Sequence, residues 1–81
     1  MPPSVDRREL DAVPDESTIA TFRDEAAADD VSIEATFPAP GGETKRLVVS
    51  PRGTVVLLNN VSEETFNQSV APAEIAAALR E

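Results

Sequence analysis

From Val31 to Phe37 the chain reads Val-Ser-Ile-Glu-Ala-Thr-Phe, an unbroken alternation of apolar and polar side chains. Successive strand residues point to opposite faces, so Val31, Ile33, Ala35 and Phe37 share one face. The pattern predicts a half-buried strand, and the apolar face demands a second layer to cover it. Pro38-Ala39-Pro40-Gly41-Gly42 then stops the strand and turns the chain. Thr44 to Ser50 (TKRLVVS) reads as a second strand and Thr54 to Asn59 (TVVLLN) as a third. Between them, Ser50-Pro51-Arg52-Gly53 is a tight turn, with proline where φ near about −65° is wanted and glycine free to take positive φ.

Helices supply the second layer. Val13-Pro14-Asp15-Glu16 is a start signal, with proline suited to the first helical position and acids to the positive end of the dipole. Ile19, Phe22 and Ala26 follow at helical spacing, which predicts a helix over about 15–28. Val61-Ser62-Glu63-Glu64-Thr65-Phe66 reads as another helix start, Ser62 capping and Val61 and Phe66 forming a hydrophobic staple. A last helix runs from Pro72, with Ile75 and Leu79 four apart. Residues 1–4 read as a loose proline tail, and Ser4 as the cap of a short helical turn holding Glu9 and Leu10 and ending at Val13. The expected fold class is α+β: one domain over residues 1–81, a two-layer, three-stranded antiparallel β-meander with flanking helices in the order α-β-β-β-α-α. No internal repeat is visible.

The third strand carries a conflict of its own. Val55 and Leu57 load one face and Val56 and Leu58 the other, although a simple meander leaves this strand at an edge. Exposed apolar edges invite pairing with another chain. Either the C-terminal helices or a second copy must cover the outer face.

Size sharpens the point. Eighty-one residues hold 17 Val, Ile and Leu, three Phe and 12 Ala, a thin core for a chain with no cysteine and no histidine. Disulfides and thiolate or imidazole metal sites are excluded, which leaves oligomerisation, with a homodimer as the expected helper. No apolar run approaches a membrane span, and the N-terminus has no signal-peptide core, so a soluble cytoplasmic protein is expected. Net charge is −8, with 15 acids against six Arg and one Lys. Scarce lysine, abundant Asp and Glu, many Ala and Val and few aromatics resemble the cytoplasmic proteins of extreme halophiles. A dense carboxylate surface holds water and cations there, and in molar salt a Debye length of about 3 Å screens its self-repulsion.

Catalytic chemistry is poorly provided for. Without His, Cys, Tyr or Trp, no nucleophile–base–orienter set can be assembled, and no enzymatic role or cofactor is expected. Asp29-Asp30, with Glu34 nearby, sits at a helix C-terminus that disfavours acids, but the spacing of a calcium loop is missing, so solvated acids are expected and no metal. Residues 44–61 form a basic island, Lys45, Arg46 and Arg52 with no acid among them. It lacks aromatics for base stacking, and molar salt removes most of the counterion-release free energy. Pro72-Ala73-Glu74-Ile75-Ala76-Ala77-Ala78-Leu79 resembles the first helix of helix-turn-helix domains, E-I-A-x-x-L, which implies a nucleic-acid partner, although no recognition helix is expected after it and a plain core helix is the expected role.

The expectation is therefore a non-catalytic protein-interaction module, acidic and of halophile type, with a homodimer as its assembly. Val56, Leu58, Lys45, Arg46 and Arg52 are the candidate interaction surface. The alternative is a small nucleic-acid-associated regulator using the basic segment 45–52 and the C-terminal helix.

Overall fold

In the computed structural model, which describes residues 5–59 and 61–80, the alternating segment forms the strand Ser32–Pro38 and buries Ile33, Ala35 and Phe37 completely or nearly so. It is the second of five. β1 (Val5–Glu9), α1 (Glu16–Asp29), β2 (Ser32–Pro38), β3 (Thr44–Val49), β4 (Val55–Leu58), β5 (Glu63–Phe66) and α2 (Pro72–Leu79) follow one another along the chain. Spatial order across the sheet is the same, β1-β2-β3-β4-β5. β1 runs parallel to β2, with α1 as the crossover, and the remaining pairs are antiparallel. The fold is α+β, as expected, but the three-stranded antiparallel meander is corrected to a five-stranded mixed sheet, and α-β-β-β-α-α to β-α-β-β-β-β-α.

Two segments account for the difference. The first is Val5–Glu9, expected to be part of a helical turn; the proposed cap, Ser4, lies outside the described residues. Four of its five side chains are charged, so nothing local marks a strand. Its partner is remote: β2 offers a row of backbone donors and acceptors, and burial makes leaving them unpaired costly. Arg8, on the helix side of β1, then ties the edge down. It donates to Glu25 at 3.0 and 3.3 Å, bridges Asp6 at 2.9 Å, and lies 5.2 Å from the centre of the Phe22 ring. These contacts raise the Arg8 pKa, and the Arg8 hydrogen bond lowers that of Asp6.

The second is residues 61–66, expected to start a helix. Here the amide of Ser62 does not await a cap. Asn59 Oδ1 accepts from Val61 N at 2.8 Å, Ser62 N at 2.7 Å and Ser62 Oγ at 3.2 Å. The Asn59 amide donates to Ser62 O at 3.1 Å and closes the β4–β5 turn. Val61 is 91% exposed, so no staple forms. Phe66 instead lies opposite Val55 and packs against the core. β4 is consequently one strand in from the edge, which corrects its expected edge position.

Elsewhere the local signals hold. Asp15 caps α1, accepting from Thr18 N at 2.9 Å, and this bond lowers its pKa. Pro14 stands one residue before that cap rather than inside the helix. Pro72 opens α2, and Ile75, Ala76 and Leu79 are its buried residues. In the β3–β4 turn Gly53 has φ +94° and donates to Ser50 O at 3.0 Å. One core joins Ile19, Phe22 and Ala26 of α1, Ile75, Ala76 and Leu79 of α2, and the residues of β2, β3 and β4 that face them. Both helices therefore cover the same face of the sheet. No helix among the described residues is long and apolar enough to cross a membrane.

Candidate interaction surface

Register assigns every strand residue to one face. Val55 and Leu57 of β4 pair with Val49 and Leu47 of β3 and are buried under the helices. Val56 and Leu58 point the other way, opposite Val48 and Arg46. That second face carries no helix. Across it, one row reads Glu9, Thr36, Arg46, Leu58 and Glu63, and the adjacent row Arg7, Glu34, Val48, Val56 and Thr65. Val48, Val56 and Leu58 are half-buried and contiguous, and none has an apolar layer above it.

Charge is arranged around this patch rather than in it. Arg46 Nε reaches Glu34 Oε1 at 3.6 Å across the β2–β3 pair, and Arg7 stands beside Glu34 from β1. The cationic flank thus has a carboxylate between two guanidiniums, while the β5 flank ends on Glu63. Two shallow depressions open on this side. One of about 240 Å³ is lined by Thr36, Thr44, Lys45, Arg46, Leu58 and Asn59. The other, about 380 Å³, is lined by Arg7, Arg8, Glu9, Glu34 and Thr36. Thr36 borders both, so the face is one uneven surface.

The five candidate residues do not all meet there. Val56, Leu58 and Arg46 share the open face. Lys45 lies on the opposite face, register partner of Phe37, and is buried. Arg52 is exposed in the hairpin at the far end of β3 from Arg46. The basic island is split three ways by strand alternation and chain reversal. Asp29 and Asp30 are exposed at the end of α1, with Asp30 at φ 53°, whereas Glu34 faces Arg46. Among the described residues no three His, Cys, Asp or Glu side chains gather closely enough to hold a metal ion.

Sequence reasoning missed Val48, Glu34, Arg7 and Glu63 as members of this surface. Val48 was legible in the sequence as a β3 residue out of phase with Leu47 and Val49. Arg7 and Glu63 were not, because both sit on strands that only remote pairing creates. It also missed Arg23 of α1, which donates to Val70 O at 2.7 Å and Asn67 O at 3.3 Å and so fastens the β5–α2 connection. Its Nε is buried with no hydrogen-bond partner. Comparison with protein-family models, with curated proteins and with solved structures returns no match.

Proposed function

We propose that the chain is a non-catalytic protein-interaction module that docks through the open face of its sheet, working in a high-salt cytoplasm. One observation carries the reading: both helices lie on the Val55 and Leu57 side, so Val48, Val56 and Leu58 form an apolar patch without a second layer. Antiparallel sheets do leave one face to solvent, but such a face is polar along its length. Here the β3–β4 portion is not. An apolar centre ringed by Arg46, Glu34, Arg7 and Glu63 matches the anatomy of a protein interface, apolar within and polar at the rim. The acidic composition supports the high-salt setting, since carboxylates keep water and cations at the surface where salt would drive aggregation.

Co-purification in molar KCl tests the reading, with the tagged parent chain compared with Leu58→Asp. The parent is expected to retain a protein, another chain or a further copy of itself, that the variant loses. Equal recovery by both would remove the open face from the account.

A further inference from the structure

We propose that the occupant of the open face is a second copy of this chain, stacked face to face about a two-fold axis that runs along the strands between β3 and β4. The inference rests on the docking role argued above and names the partner. An isologous interface must be self-complementary, because each patch meets itself. An axis at this position superposes β3 on the partner's β4 and β2 on the partner's β5. Val48 then lies over Val56 of the copy, and Val56 over Val48, so the apolar centre closes on itself.

The rim closes as well. Arg46 comes over Leu58 of the copy, one strand from its Glu63, within reach of a long guanidinium side chain. Glu63 correspondingly meets Arg46 of the copy. Thr65 falls over Glu34, a polar contact with no charge conflict. An axis between β4 and β5 would instead bring Glu63 over Leu58 and leave Arg46 beyond the partner's edge. Of these two axes, only the one between β3 and β4 brings Arg46 near Glu63 of the copy while closing Val48 on Val56.

Area sets the strength. Four strands, β2 to β5, overlap in this stacking; about 4.8 Å apart and each about five residues at roughly 3.3 Å, they give a face of about 19 by 17 Å. A footprint this small, about 650 Å² over both copies, falls below the roughly 1,200 Å² at which stable interfaces begin and belongs with weak, transient ones. The dimer should accordingly be concentration-dependent, with apolar contact supplying affinity at high salt and the Arg46–Glu63 pairs setting orientation.

Light scattering of the purified full chain decides, over a range of concentrations, at about 2 M KCl and at the lowest KCl that keeps it folded. The mass should rise with concentration from 8.6 kDa to twice that value. At the lower salt, Arg46→Glu and Glu63→Arg should each weaken association at least fivefold, and the double exchange should restore most of it. Leu58→Asp should abolish it at both salts, with circular dichroism confirming that each variant is folded. A mass of 8.6 kDa throughout overturns the second copy as occupant; the docking reading then stands or falls on the Leu58→Asp co-purification. A dimer indifferent to Leu58→Asp overturns both. A dimer lost in Leu58→Asp but unrescued by the charge exchange overturns the stacking about this axis.

Discussion

Gly53 shows how much one residue decides. At φ +94° it sits where side chains with a Cβ are rarely accommodated, and an added Cβ would meet Gln68 Cβ at 3.2 Å. Backbone strain and crowding therefore act together, and Gly53 holds the β3–β4 turn against the connection leaving β5. Gly53→Val should cost roughly 2 kcal/mol or more, in line with strain at special backbone positions. Thermal or urea unfolding measures it, and a variant melting with the parent would contradict the assignment of strain. The sequence alone marked this position, since proline and glycine occupy the turn sites that favour them. The contact with Gln68 was invisible to it, because 15 residues separate the two.

At the scale of elements, β5 is the informative case. Its sequence offers one half-buried apolar residue, Phe66, and two adjacent acids, a pattern equally suited to a capped helix turn. Local preference is weak over so short a segment, and β4 breaks the tie with an unpaired edge beside buried Val55 and Leu57. The acids then fit, since charge on an edge strand discourages further pairing. Two substitutions separate strand from helix. Val61→Ser should leave stability within about 0.5 kcal/mol, because an exposed side chain contributes no staple. Glu64→Pro should destabilise the chain by about 3 kcal/mol, since Glu64 is the β5 residue in hydrogen-bonding register with Leu57 and proline there removes a ladder donor. Were the segment a helix start, Val61→Ser would be the costly change of the two. Amide exchange adds a readout, with the β4 amides that face β5 losing protection in Glu64→Pro.

The molecule as a whole answers to salt. With 15 carboxylates against seven cationic side chains and a net charge of −8, repulsion among carboxylates opposes compaction in dilute buffer. Screening removes that term as the Debye length falls from about 10 Å at 0.1 M to about 3 Å at 1 M. The melting temperature should climb from dilute buffer to about 2 M KCl, followed by circular dichroism at fixed protein concentration. A flat response would show that the charge is already balanced within the fold.

What the sequence determined by itself were the pieces governed by near neighbours: the alternation of β2, the Asp15-capped α1, the two turns built on glycine, and α2 opening at Pro72. In each, the deciding interaction spans five residues or fewer, so it is written in the local order of side chains. It also showed that Val55 to Leu58 load both faces of their strand. Tertiary structure alone decided that Val5–Glu9 and Glu63–Phe66 are strands, because their partners lie far along the chain and their own side chains are charged. It decided, too, that Lys45 turns inward while Arg46 joins Val48, Val56 and Leu58 outside. Strand phase places neighbours on opposite faces, but only the position of the helices says which face is buried.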